Sequence, residues 1–229
     1  MLIIIDKKIP VEAKEKLKEY GELLELETKG IVYDSISGHP DIFFCQLGDS
    51  TVYAPNLPEK FLLPLQERSI KLIKGELPLG QKYPETAKYN AVFIEDMLYH
   101  NFRHTDSVIT DSIGEADLTH INQGYTKCNL IALGNDNFIT SDEGVKRTLE
   151  RFDKNALYVN PEKIILPEKK HGFIGGCCGI FDKKVFFIGS LSHIQNGEKI
   201  KQFINESGLE VVELYDGPLF DGGSLVFSN

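Results

Sequence analysis

Gly223-Ser224-Leu225-Val226-Phe227 is the last apolar stretch of the chain, and it reads as a strand with no partner nearby in sequence. Four other short strand starts share its form: Asp41-Ile42-Phe43-Phe44, Asn90-Ala91-Val92-Phe93, Asn129-Leu130-Ile131-Ala132 and Cys178-Gly179-Ile180-Phe181. Consecutive starts are 49, 39, 49 and 45 residues apart, and the step through the two termini is 47. An even period of this size marks units that cannot each bury their own apolar face and must share a core.

The elements within each unit follow one order. In the first, Asp41 to Cys45 reads as a buried strand, Gly48-Asp49 as a turn and Ser50 to Tyr53 as its partner. Pro58 to Arg68 is helical with a break at Pro64, and Ile70 to Ile73 closes the unit. The third unit runs Asn129–Leu133, turn Gly134-Asn135, Phe138–Thr140, a helix over 142–152 and Ala156–Val159. The fourth adds Lys184–Ile188, a helix from Asn196 to Ser207 stopped by Gly208, and Glu210–Leu214. In the second, Ala91–Glu95 and Met97–His100 suit a hairpin, but Asp106–Glu115 is a poor helix.

The fifth unit is split between the ends of the chain. Gly223–Phe227 supplies its first strand, and Leu2–Ile5, a helix Val11–Tyr20 and the strand Leu23–Leu26 supply the rest. The expected fold is α/β: one domain over residues 1–229, a five-bladed pseudo-fivefold β/α-propeller of ββαβ units closed by its N- and C-terminal strands. An open α/β sheet with coincidental spacing is the alternative.

Composition narrows the function. The chain has 229 residues, 41% hydrophobic and 26% charged, as in an ordinary globular protein. A net charge of −9, with no basic block longer than Lys169-Lys170 or Lys183-Lys184, argues against nucleic acid. No apolar run approaches the ~20 residues that span a bilayer. Met1 to Asp6 reads as a strand and not as a signal peptide, so a cytoplasmic protein is expected. Cys45, Cys128, Cys177 and Cys178 are too few for a disulfide scaffold and are expected to be reduced.

Five ββαβ units, the last completed by the N-terminus, resemble the pentein fold of the guanidine-modifying enzymes: arginine deiminase, dimethylarginine dimethylaminohydrolase and the amidinotransferases. The ribosome anti-association factor is similar in architecture and is not an enzyme. The resemblance implies that Asp41, in Ser37-Gly38-His39-Pro40-Asp41, binds the guanidinium, for which a paired oxygen acceptor is well suited. It puts Asn129 where the family has an acid, so that charge is lost. It puts the general acid/base near His171, offset by about two residues from the register of the turn at Asp182-Lys183.

The family's nucleophilic Cys opens the last strand, and Asp221-Gly222-Gly223-Ser224 has glycine there. Ser224 is a weaker nucleophile that would need its own base. Gly175-Gly176-Cys177-Cys178-Gly179 opens the fourth unit and offers a displaced thiol, while His39, Asp41, Cys128 and Asp221 begin neighbouring units and can converge on it. Buried cysteines also serve simply as small apolar residues.

Three readings follow. The first is a protein that binds a small guanidino or other cationic metabolite in a central channel through His39, Asp41, Asn129, Asp221 and Ser224, with no cofactor and no metal. The second is an amidinohydrolase- or amidinotransferase-like enzyme using Cys177 or Cys178, with His39 or His171 as base and Asp41 or Asp221 as orienter. The third is a protein-interaction module. His100 and His104, four apart, are expected to be solvated loop residues and not metal ligands.

Overall fold

The computed structural model describes residues 1–228. It contains five separate three-stranded sheets, each with one antiparallel and one parallel pairing. Four sheets are contiguous in sequence. They comprise Phe44–Leu47, Ser50–Tyr53 and Lys71–Lys74; Val92–Ile94, Met97–His100 and Asp117–His120; Leu130–Gly134, Asn137–Thr140 and Asn155–Tyr158; and Cys178–Phe181, Lys184–Phe187 and Glu210–Glu213.

The fifth sheet joins the ends of the chain. Val226–Ser228 pairs antiparallel with Leu2–Asp6, matching Leu2 to Ser228, Ile3 to Phe227 and Ile4 to Val226, and Glu22–Leu26 pairs parallel on the other side. Leu2–Asp6 is buried on both faces, which is why its four apolar residues run without alternation. Leu2 and Ile4 pack with Leu26, Ile42, Phe43 and Val226, whereas Ile3 and Ile5 pack with Ala13, Leu17, Phe186 and Ile188.

The hairpins share their turn chemistry. Glu95-Asp96, Asn135-Asp136 and Asp182-Lys183 all take positive φ at both central positions, the conformation that matches the twist of a two-residue hairpin. The helices follow their caps. Asp142 accepts from Gly144 and Val145 N–H and starts Glu143–Arg151, and Asp106 accepts from Val108 N–H and starts Ser107–Asp111. The weak 106–115 segment thus yields one short helix, and Pro64 divides its segment into a turn at 59–61 and a helix at 63–66.

Several expected strand starts need correction. Asp41 lies in a helical turn, Pro40–Phe43, and Asn129 in another, Thr126–Asn129; the strands begin only after them. Pro40 takes the first helical position, where its fixed φ fits and its missing N–H costs nothing. Gly223 and Ser224, with φ of +67° and +68°, form a bend ahead of Val226 rather than a strand. His100 is fully buried, hydrogen-bonded through its two ring nitrogens to Thr105 Oγ1 and Gly124 O, and is not a solvated loop residue.

Phe227 ties the C-terminal strand to the neighbouring sheet, since its ring packs 5.4 Å from that of Phe181 and 5.1 Å from that of Phe186. Phe227→Ala is expected to cost about 3–5 kcal/mol in urea unfolding. An exposed hairpin substitution such as Asp182→Asn should be nearly neutral by comparison.

Candidate functional site

The helical turns and bends before the first strands meet one another. Asn90 Nδ2 donates to Asp41 O at 2.9 Å, Asn90 Oδ1 accepts from Cys128 N–H at 3.1 Å, and Lys127 N–H donates to Asn90 O at 3.0 Å. Ile174 N–H reaches Ser141 Oγ at 3.2 Å, and that hydroxyl reaches Asn129 Oδ1 at 3.0 Å. Gly222 and Ser224 N–H both donate to Gly176 O, and Asp41 N–H donates to Gly223 O at 3.0 Å. These contacts link all five sheets at their strand starts.

The approach is close enough to exclude side chains. A Cβ on Gly223 would stand 2.1 Å from His39 Cβ, and one on Gly176 would stand 1.9 Å from Asp221 Oδ1.

At this junction lie three buried carboxylates, Asp6, Asp41 and Asp221, with His39 between two of them. His39 Nε2 is 3.8 Å from Asp6 Oδ2, and its Nδ1 is 3.9 Å from Asp221 Oδ1, too long for hydrogen bonds. Asp221 Oδ2 accepts from Phe173 N–H at 2.8 Å and Oδ1 from Gly223 N–H at 3.1 Å. Asp41 Oδ2 accepts from Cys128 Sγ–H at 3.2 Å and lies 3.1 Å from Ser224 Oγ. Asp41 Oδ1 and His39 Nδ1 have no partner.

No lysine or arginine lies within ion-pair distance of the three carboxylates among the described residues. Lys88 donates to Pro78 O, and Lys127, which shares a small cavity with Asp41, offsets the burial of that carboxyl only in part. Burial accordingly pushes Asp6 and Asp41 up to about 6, and burial with the charge of Asp41 pushes Asp221 up to about 7. Burial, helped by Lys8, pushes His39 down to about 3, so its imidazole is neutral.

A cavity of about 220 Å³ opens onto this cluster. Its walls include His39, Asp221, Cys128, Tyr33, Tyr125 and Phe173, with Lys169 and His171 among them. Tyr33 and Tyr125 hydroxyls are 3.1 Å apart, and Lys169 Nζ stands 4.5 Å over the Tyr33 ring. Asp41 lines a second cavity of about 100 Å³ with Lys127 and Gln46. Among the described residues no three His, Cys, Asp or Glu side chains form a metal-binding group, and no helix is long and apolar enough to cross a membrane.

The residues singled out in the sequence therefore divide. His39, Asp41, Asp221 and Ser224 come together, and His171 lines the same cavity. Asn129 does not, because its amide is engaged by Tyr125 O and Ser141. Cys177 and Cys178 are absent from the cavity wall; Cys177 Sγ donates to Phe173 O, and burial drives both thiols up, Cys178 to about 12. Sequence reasoning missed Asp6, Tyr33, Tyr125, Lys169 and Phe173. Asp6 alone left a signal, as an aspartate ending an otherwise apolar strand.

Residues 4–226 match the family described as "Family of unknown function (DUF6873)", and the chain belongs to that family. No curated protein matches the sequence significantly. Among solved structures the chain is similar to dimethylarginine dimethylaminohydrolase from Pseudomonas aeruginosa in complex with citrulline, at 12% identity over 93% of this chain and 91% of that one, TM-score 0.51. It is also similar to SxtG, an amidinotransferase from Microseira wollei in the saxitoxin biosynthetic pathway, at 10% identity over 92% and 87%, TM-score 0.52. A third is the agmatine deiminase of C. jejuni, at 10% identity over 92% and 74%, TM-score 0.54. At these identities the likeness is one of fold: a mixed α/β, pentein-like arrangement of small sheets, shared with enzymes that modify guanidino groups.

The raised carboxyls make a signed prediction. Each holds its proton more tightly folded than unfolded, so its contribution to stability falls as pH rises from about 4 to its folded value of 6 to 7. His39, lowered when folded, contributes the opposite slope from about 3 up to 6.5. Asp41→Asn keeps an acceptor for Cys128 and Ser224 while removing one buried charge. It should raise stability at pH 8 by on the order of 2 kcal/mol and leave it nearly unchanged at pH 4, read as Tm against pH beside the wild type.

Proposed function

We propose that the five sheets close into one pentein propeller, a single domain over residues 1–229, that binds a small guanidino or similar cationic metabolite in the cavity at its axis. One observation carries this reading: the buried Asp221 carboxylate faces an aromatic-lined cavity, Asp41 with its unpartnered oxygen lies behind Cys128, and neither is ion-paired, the lysine on that wall, Lys169, standing over the Tyr33 ring instead. Such an arrangement costs stability and is offset when a cation enters, because a buried charge is tolerated only when paired.

Asp221 on the cavity wall is the first contact for the cation, with His39 as a neutral neighbour and Asp41 reached past Cys128. Tyr33, Tyr125 and Phe173 suit the planar face of a guanidinium. The cavity is smaller than the ~300 Å³ of a drug-sized site, which favours a compact metabolite. Gly222 and Gly223 take the place that the resemblance gives to the family thiol, so turnover by the family route is not part of this reading. Four free, buried cysteines support a cytoplasmic setting. Exposed large apolar residues such as Val11, Leu63, Leu118 and Phe152 are spread along the chain, which gives the interaction-module reading less support.

A thermal-shift series with agmatine, arginine, methylated arginines and citrulline tests the proposal. Guanidinium compounds at 100 Kd should stabilise by ~2.7 kcal/mol, and neutral citrulline should not. The shift should grow from pH 6 to pH 8 as Asp221 ionises near 7. Equal shifts with citrulline, or none with any guanidinium, would reject it.

A further inference from the structure

Lys169 and Tyr33 line the same cavity as Asp221, and the Lys169 ammonium stands 4.5 Å from the centre of the Tyr33 ring, over its face. Lys169 enters no ion pair among the described residues, in a chain whose net charge is −9. The ring's negative face is what holds it, and that is the face a ligand cation would use. One aromatic surface therefore has two claimants.

The lysine sits at the tip of a short strap, residues 166–171, whose feet are fastened beside Asp221. Ile165 N–H donates to Leu219 O and Asp221 N–H to Ile165 O, both at 2.8 Å, while Gly172 N–H donates to Ile164 O at 2.9 Å and Phe173 N–H to Asp221 Oδ2 at 2.8 Å. Between the feet the backbone bond is a local one, from Lys169 N–H to Leu166 O at 3.1 Å. Glu168 closes that turn with φ of +66°, a conformation that a residue other than glycine keeps only while its surroundings impose it. The feet are fixed and the tip is held by one weak contact.

A cation that pairs with Asp221 and lies on the aromatic wall meets the Lys169 ammonium at the same ring. Like charges side by side in a confined cavity repel, and Asp221 is tied down by backbone hydrogen bonds, so the strap tip is the part that gives way. We propose that Lys169 is a tethered stand-in for the ligand: its ammonium covers the Tyr33 face until a ligand cation takes that face, expels the lysine and lifts the tip of the strap. The inference rests on the binding reading above and adds its regulation. Because the competitor is part of the chain, dilution does not remove it, and every cation that enters must outbid it. Lys169-Lys170 at the outer surface then differs between the two states, so occupancy of the cavity is displayed outside it.

Limited trypsin digestion of the full-length protein, mapped by peptide mass, reads the strap through the cut after Lys170 relative to cuts elsewhere in the chain. Proteolysis of this kind follows the population of the open form. Without added ligand, Tyr33→Leu should raise that relative rate by about two- to fivefold, the worth of an exposed cation–π contact. Tyr33→Phe, which keeps the ring, should not. Saturating agmatine should raise the rate in the wild type, and neutral citrulline should leave it unchanged. By isothermal titration, Lys169→Met should bind agmatine about two- to fivefold more tightly than the wild type, whereas Lys169→Arg, which keeps the charge, should show no such gain.

Cutting after Lys170 that is no faster in Tyr33→Leu than in Tyr33→Phe would overturn the inference, as would a Lys169→Met protein that binds agmatine no more tightly than the wild type. Agmatine that binds the wild type but leaves the strap cut at its original rate would overturn it too, and the binding reading would then stand alone. If agmatine binds neither protein, the binding reading falls and takes the exchange with it.

Discussion

The pairing of Val226–Ser228 with Leu2–Ile4 is the constraint on which the rest of this molecule depends. Leu2–Asp6 is buried on both faces by side chains packed above and below it, and its backbone groups are paired on both edges, the antiparallel partner coming from the other end of the chain. The same pairing delivers chemistry. Asp6 ends the N-terminal strand, and Asp221, Gly223 and Ser224 precede the C-terminal one, so half of the polar cluster is assembled by the meeting of the termini. A chain with frayed ends would lose its site along with its seam.

The cluster works against stability. Three carboxylates and a neutral imidazole sit almost fully buried, and their charge is opposed by no lysine or arginine at contact distance. Backbone N–H groups of Phe173 and Gly223, the Ser224 hydroxyl and the Cys128 thiol satisfy some oxygens but supply no counter-charge. Desolvation is the largest cause of the raised carboxyls in each case. The surrounding apolar clusters and the tight glycine contacts hold that arrangement rigid. Strain of this kind persists only where the neighbouring structure over-determines it.

The similar solved structures are named as a dimethylarginine dimethylaminohydrolase, an amidinotransferase and an agmatine deiminase, yet the similarity of fold assigns no activity to this chain. What bears on function is local. The aromatic wall, the carboxylate floor and the thiol at Cys128 are read from this chain's own residues. Gly223 leaves no space for a side chain beside His39, and a side chain at Gly222 would run into Ile9.

Much of the architecture was legible from local signals. Period, hairpin turns such as Asp182-Lys183, a helix start at Ser141 or Asp142 and the Gly208 stop are written in a few adjacent residues. The clasp, too, could be read from the unpaired apolar ends. The site was legible only in part: His39, Asp41, Asp221 and Ser224 stand out because polar residues beside strand starts need a reason to be there. The sequence by itself determined the repeating unit and its closure, since both follow from hydrophobic period and turn chemistry. Only the tertiary structure decided that Cys128, and not Cys177 or Cys178, faces the cavity, and that Tyr33, Tyr125 and Phe173 line it. Those placements depend on how helical turns from separate units interlock, a long-range packing outcome that no local pattern encodes.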